Sequence, residues 1–339
     1  MSGTFDLAIY NAQSLAGEAL LTLLEESHLT PGVVYPLTGS EEPGEPGDEA
    51  TVVFKGTELD VISALTFNYA DADLLIIPAG SHINPEVLNL AAESGCRVVN
   101  GAVGGAINSE ADIYLSGLSD AAELSGQQEV AIPASPAALM LQVIKPLQET
   151  VGIDSVNVMA SLSLAESGQK GIEELRGQTI DLLSGKPVKK TLFEQRIAFN
   201  VLPQVGPVTE SGFTAPERLI AEELMKGLDQ EDLRVSATCV RVPVFFGDSL
   251  AVHLDLDRPV DEQTVRDLLT GVDGIELAAV DEMPSVETVA GKDAIVVGRI
   301  RQNPDHADQI CLWIVADPVR CGAIQALAVV EILLKDFLK

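Results

Sequence analysis

Residues 5–10, FDLAIY, form a short continuous apolar run, the pattern of a parallel strand buried on both faces. A polar turn, NAQS, leads into LAGEALLTLLEES, where apolar residues recur at helical spacing with no breaker after Gly17. GVVYPL, TVVF, DLLIIPAG and CRVVNG read as further strands, with PEVLNLAAES a helix between the last two. Strand and helix alternating in this way predict an α/β domain, a doubly wound Rossmann-like parallel sheet with helices on both faces. Between GVVYPL and TVVF, the stretch SEEPGEPGDEA reads as an exposed loop.

Past about residue 150 the period shortens to two. In SVNVMASLSL, Val156, Val158, Ala160, Leu162 and Leu164 point one way, and Ser155, Asn157, Met159, Ser161 and Ser163 the other. LRVSATCVRVPVFF, SLAVHLDLD, AIVVGRI and QICLWIVAD read as similarly long strands, separated by the helices GIEELRGQTIDLLSG, APERLIAEELMKGL and DEQTVRDLLTGV. This predicts an α+β domain with a large mixed sheet, one face covered and the other free to dimerise. RCGAIQALAVVEILLKDFLK closes the chain as an amphipathic helix. The expected division is a dinucleotide-binding-type domain over residues 1–133, completed by the helix 320–339, and a dimerisation and substrate-type domain over 134–319.

Composition narrows the function. With 339 residues, 46% of them hydrophobic, the chain has material for two buried cores. Twenty-one Lys and Arg face 51 Asp and Glu, a formal net charge of -30, which excludes nucleic acid and an anionic membrane surface as natural partners. Cys96, Cys239, Cys311 and Cys321 form no CxxC, and the four histidines are scattered, so neither a disulfide framework nor a zinc site is expected. His28, His82 and His306 have no ligand pattern, and His253 alternates with apolar neighbours as a residue facing solvent or a subunit partner would. The first residues lack a basic and an apolar region, and no run is long enough to span a bilayer, so a cytoplasmic location is expected. The charge is uneven. Residues 1–144 hold only two basic side chains, Lys55 and Arg97, against twenty acidic ones, a net of -18.

A strand, tight turn and helix at the N-terminus is where a Rossmann domain holds a pyrophosphate, on glycines that let the backbone approach and on helix N–H groups that face the anion. Here the three positions read Asn11, Ser14 and Gly17, and only the glycine used for helix–strand packing remains. A second glycine group, NGAVGGA at 100–106, reads as a tight turn.

From end to end the chain resembles the aspartate-semialdehyde dehydrogenase family, through GIEELRGQT, RIAFNVLPQV, DLRVSATCVRVPVFFGDS, AGKDAIVVGRIRQ and LWIVADPVRCGA. It is most similar to the divergent Usg-type paralogue. The resemblance implies a homodimer that uses NADP to interconvert aspartyl phosphate and aspartate semialdehyde through a cysteine thioester. Carried over by residue, it puts Ser135 of IPASPAALM at the nucleophilic cysteine and Asp248 of RVPVFFGDS at the base histidine. Leu162 falls at an expected glutamine and Ala106 at a phosphate-binding arginine. An E-x-K pair becomes Glu217 with Leu219. The segment for the adenosine 2′-phosphate becomes TGSEE, with Glu41 and Glu42, and a cofactor asparagine becomes Pro318. Arg241 is similar to the substrate-carboxylate arginine and Glu217 to the partner of the substrate amine.

A thiol of pKa about 8.5 is readily activated by imidazole, whereas an isolated serine needs a positioned base. An ionised aspartate accepts hydrogen bonds without donating, and adds negative charge where an acyl phosphate needs positive stabilisation. The expectation is therefore a homologue that has lost catalysis and holds no cofactor, acting as a homodimeric scaffold or as a binding protein for a small zwitterionic metabolite. The alternative is an active NADP-dependent oxidoreductase of amino-acid biosynthesis. Read without the resemblance, Ser135 before Pro136 is a helix N-cap and Asp248 after Gly247 a turn residue. Arg241 is then a mid-strand residue that pairs with Glu217 or binds a ligand. The acidic run from Glu41 to Glu49 is a solvated face.

Overall fold

The structure, a computed structural model, describes residues 5–39, 51–108, 111–124 and 126–337. The chain divides into two compact units, residues 1–135 with 322–339, and residues 136–321.

The first unit contains strands β1 (Leu7–Tyr10), β2 (Val34–Thr38), β3 (Thr51–Phe54), β4 (Thr57–Asp60), β5 (Ile62–Ser63), β6 (Leu74–Ser81), β7 (Arg97–Ala102) and β8 (Glu129–Ala131), and helices α1 (Leu15–Glu26), α2 (Pro85–Ser94) and α3 (Gly105–Asn108). Six strands form one parallel sheet in the order β5-β2-β1-β6-β7-β8. The continuous apolar runs are explained by burial on both faces. Leu7, Ile9, Leu74, Ile76 and Val99 pack with Leu20 and Leu24 of α1 and with Val329, Val330 and Leu333 of the C-terminal helix. Ala8, Leu37, Leu75, Ile77 and Val98 point the other way, onto Val87 and Ala91 of α2. TVVF departs from expectation. As β3 it pairs antiparallel with β4 in a separate hairpin outside the parallel sheet. Lys55 and Gly56 turn that hairpin with positive φ, 49° and 73°, the conformation of a tight two-residue connection. The SEEPGEPGDEA loop lies outside the described residues.

The second unit contains helices α4 (Ser135–Thr150), α5 (Gly168–Leu183), α6 (Ala215–Gly227), α7 (Glu262–Leu269) and α8 (Val286–Val289), and strands β9 (Ile153–Leu162), β10 (Arg234–Arg241), β11 (Asp248–Leu256), β12 (Ile275–Leu277), β13 (Ile295–Asn303) and β14 (His306–Ala316), before α9 (Pro318–Phe337). Its six-stranded sheet runs β10-β9-β11-β14-β13-β12, parallel at both edge pairs and antiparallel between them. Val156, Val158 and Ala160 of β9 stand beside Leu254, Val252 and Leu250 of β11, all buried on one face. Asn157, Met159, Thr238 and His253 lie exposed on the other. β10 stops at Arg241 rather than running through VPVFF, because Pro243 has no N–H for a ladder. Leu164 likewise leaves the strand pattern and starts a 3-10 turn over Leu164–Ser167. Among the described residues no helix is long and apolar enough to cross a membrane.

Candidate functional site

In the first unit the sheet changes winding direction at β1, whose neighbours are β2 and β6, and open α/β sheets bind ligands outside the strand ends at such a point. Asn11 follows β1 with a left-handed φ of 47°, a conformation asparagine tolerates better than most residues. Its Oδ1 accepts the N–H of Gly39, which follows β2, at 2.9 Å. Ser14 is the N-cap of α1, its Oγ accepting from Gly17 N at 3.1 Å. Gly17 is required by a close approach, since a Cβ there would lie 2.4 Å from the Asn11 carbonyl and 2.6 Å from that of Ala12. Tyr10, unremarked in the sequence, is buried at the end of β1, and its O–H donates to the His82 carbonyl beyond β6 at 3.3 Å. The turn at the switch point is thus laced to the segments after both neighbouring strands by the chain's own groups.

NGAVGGA does make a turn, with Gly104 at φ 72° between β7 and α3. Ala106 is fully buried in α3 against Ala111 and Ala131, a packing residue. Glu41, Glu42 and the rest of the run to Glu49 lie outside the described residues. Ser135 is the first residue of α4, and its buried Oγ has no hydrogen-bond partner among the described residues. The expected N-cap role is therefore not the one it plays, since a cap would accept a helix N–H.

The second unit gathers the remaining candidates at one end of its sheet. Arg241 ends β10, Leu162 ends β9 opposite it, and Asp248 begins antiparallel β11 one step away, where Ser249 faces Ser161. All three point to the covered face. Asp248 shares the phase of Leu250, Val252 and Leu254, and Arg241 that of Ala237 and Cys239. Asp248 is 0% exposed and Arg241 7%. The expected turn role for Asp248 is overturned, because Gly247 at φ 88° makes the turn and Asp248 is already inside the sheet. Asp248 Oδ1 accepts from Ser163 N at 2.8 Å, and Arg241 Nη1 donates to Ser163 O at 2.7 Å.

Arg241 does not pair with Glu217. Its Nη1 donates at 2.9 Å to Oε2 of Glu166, a residue the sequence reading passed over, which sits on the 3-10 turn after β9. That turn is pinned at its start, where Leu164 N and Ala165 N donate to the carbonyls of Val244 and Phe245. Burial raises the Glu166 carboxyl against the pull of Arg241. Burial, then the charge of Glu166, pushes Asp248 well above the usual carboxylate range. A fully buried carboxyl and a partly exposed one beside one guanidinium favour retention of a proton between them. Asp248 is then an acid able to donate, rather than the ionised acceptor anticipated from its type.

Glu217 is spent on structure. Its Oε2 accepts Thr214 N at 2.7 Å, closing the start of α6, and its Oε1 accepts Cys239 N at 2.9 Å. The second bond covers an N–H on the open edge of β10, which carries no further strand. Leu219 is half-buried on α6, and Pro318 opens α9, whose first N–H groups at Val319 and Arg320 are taken by Asp317 Oδ1.

No thiol at this end is activated by its surroundings. Desolvation raises Cys239 and Cys321 to about 12, and Cys96 in the first unit likewise. Cys311 of β14 lies 3.6 Å from His253 Nδ1, and His253 stands on the opposite phase of β11 from Asp248 and five residues along it, roughly 17 Å. Among the described residues no group of three or more His, Cys, Asp or Glu is placed to hold a metal.

The profile of the semialdehyde dehydrogenase dimerisation domain matches residues 144–321. The chain is 33% identical over 341 residues to aspartate-semialdehyde dehydrogenase 2 of Vibrio cholerae, covering 99% of this chain and all of that protein. The crystal structure of the Vibrio cholerae aspartate semialdehyde dehydrogenase II complexed with ASA superposes with a TM-score of 0.91 at 32% identity, over 99% of this chain and all of that one. A USG-1 protein homolog of Azotobacter vinelandii is also 33% identical, over 99% of both chains.

Proposed function

The chain belongs to the aspartate-semialdehyde dehydrogenase family, and we propose that it is a member that has kept the frame and lost the reaction. The observation that carries this reading is the Arg241–Glu166 pair. The guanidinium that resembles the family's seat for the substrate carboxylate already holds a carboxylate of the same chain. A substrate would have to displace a partner attached to the fold, losing the translational freedom that Glu166 has already surrendered.

The other positions support the same conclusion. Asp248, at the base position, is fully buried with one oxygen committed to Ser163 N. Glu217 has both oxygens engaged by backbone N–H groups, which leaves it poorly placed to receive an amine. The residues of the first unit do not fit NADP. Asn11 and Tyr10 tie the switch-point turn to its neighbours, Ala106 offers no cation, and residues 1–144 carry a net of -18. Helix N–H groups alone can hold a phosphate, but here the one at Gly17, in the first turn of α1, is taken by Ser14.

The protein acts as a homodimeric scaffold or binding protein. Its second unit carries the dimerisation fold and exposes Met159, Phe199, Val201, Phe213 and Phe245, apolar surface of the kind a second subunit covers. The test is turnover of aspartate semialdehyde by purified protein with NADP and inorganic phosphate, followed at 340 nm. No turnover is expected above a buffer control. A rate that Ser135→Ala or Asp248→Asn abolishes would overturn the proposal.

A further inference from the structure

We propose that His253 and Cys311 are half of a metal site, completed by the partner subunit's His253 and Cys311, which holds one zinc-like divalent cation between the two chains. This rests on the homodimer proposed above.

Three observations carry it. The first is the pair itself. β11 and β14 run antiparallel with His253 directly opposite Cys311, and His253 is directly opposite Asn157 of β9, so the pair stands on the open face of the sheet. Cys311 Sγ and His253 Nδ1 are 3.6 Å apart. Zinc bonds of about 2.3 Å to thiolate and about 2.0–2.1 Å to imidazole, opened to the tetrahedral angle, separate two ligand atoms by about 3.6 Å. The two atoms already stand at the separation that one cation requires. They are 58 residues apart in the chain, so strand pairing creates the pair and no sequence spacing announces it.

The second is its place on the sheet. The order β10-β9-β11-β14-β13-β12 makes β11 and β14 the middle strands, and His253 and Cys311 lie near the middle of each. All six strands fall within residues 144–321, the span of the dimerisation-domain match. In the next row Met159, Ala251 and Trp313 stand side by side, with Met159 exposed, an apolar strip that a second copy covers. A twofold axis through the centre of two facing sheets brings a central pair onto its own copy. Packed sheets lie about 10 Å apart, and a cysteine or histidine holds its metal roughly 5 Å from its own Cα, so two such pairs meet at one cation.

The third is the incompleteness of the set in one chain. A tetrahedral cation takes four ligands, and among the described residues no third His, Cys, Asp or Glu joins these two. Asp255, two residues along β11, is committed to Ser155 and Gln309. Two thiolates neutralise a divalent cation, so the four-ligand set adds no net charge to the interface, and thiolate with imidazole selects zinc over magnesium or calcium.

The experiment titrates untagged, metal-free, reduced protein with cobalt(II), whose intense visible bands report a tetrahedral thiolate site, and then with zinc. Sedimentation velocity gives the oligomeric state of each protein, and circular dichroism its fold. The bands are expected to saturate at one cobalt per two chains and to vanish when zinc is added. Cys311→Ser is expected to abolish them, and His253→Ala to weaken cobalt binding at least about tenfold. Because His253 is exposed, its variant keeps the test open if Cys311→Ser does not fold. A dimer that takes up no cobalt, saturation at one cobalt per chain, or bands that survive in folded Cys311→Ser would overturn the site and leave the homodimer standing. Wild type that stays monomeric with and without cobalt would overturn both.

Discussion

Asp248 and Arg241 grip the same peptide from opposite sides: the carboxyl accepts the N–H of Ser163 at 2.8 Å and the guanidinium donates to its carbonyl at 2.7 Å. Two side chains from strands on either side of β9 thereby fix the point where that strand turns outward toward Glu166. Asp248 is part of the frame of this sheet end.

This geometry makes stability depend on pH. The folded-state carboxyls of Asp248 and Glu166 are raised by burial, so their contribution is fully present below the ordinary carboxylate range and is lost as pH rises through the raised values. Asp248→Asn keeps an oxygen for Ser163 N and supplies a permanent donor in place of the retained proton. The variant is expected to be about 1–2 kcal/mol more stable than wild type at pH 8, with the difference shrinking toward pH 5. Thermal unfolding of both proteins at intervals between those values checks it.

Arg241→Ala should act in the opposite sense. It leaves the buried Asp248 carboxyl and the partly exposed Glu166 without their cation and should cost about 3–5 kcal/mol at neutral pH, less in acid, measured by urea unfolding. A loss below about 1 kcal/mol would mean that solvent already screens the cluster.

Glu217→Ala removes the acceptor for Thr214 N at the start of α6 and for Cys239 N on the edge of β10. We expect a loss of about 1–3 kcal/mol and faster hydrogen exchange at the Cys239 amide. Slow exchange retained there would show that another group covers the edge.

Gly17→Ala should destabilise the first unit by about 1–3 kcal/mol or more, because the new methyl meets backbone carbonyls, which cannot rotate away as a side chain can. Denaturant unfolding followed by circular dichroism checks this.

Ser135→Cys combined with Asp248→His should recover no turnover. The imidazole would have to replace a carboxyl at a fully buried strand position, and Glu166 would still hold Arg241. Calorimetry with NADP should likewise show no binding tighter than about 10 μM. Measurable rescue by the double variant, or tight NADP binding, would contradict the account.

The amino-acid order by itself determined the architecture. Unbroken apolar runs such as FDLAIY can be satisfied only by burial on both faces, and alternation in SVNVMASLSL only by burial on one, so the parallel and mixed sheets follow from local pattern. The same alternation carried an unused signal: Asp248 stands two residues before Leu250, on the apolar phase of its strand, and is buried for that reason. TVVF shows the limit of such patterns, since four apolar-rich residues suit a hairpin as well as a central strand, and only long-range pairing chose between them. Only the tertiary structure decided which groups meet. Arg241 lies 24 residues from Glu217 and 75 from Glu166, and the nearer partner in sequence lost to the farther one. Glu217 was drawn to unpaired N–H groups at a helix start and a sheet edge, while the end of β9 delivered Glu166 to the guanidinium. Charge pairing is settled by proximity after the backbone has been satisfied, and no spacing along the chain encodes that order.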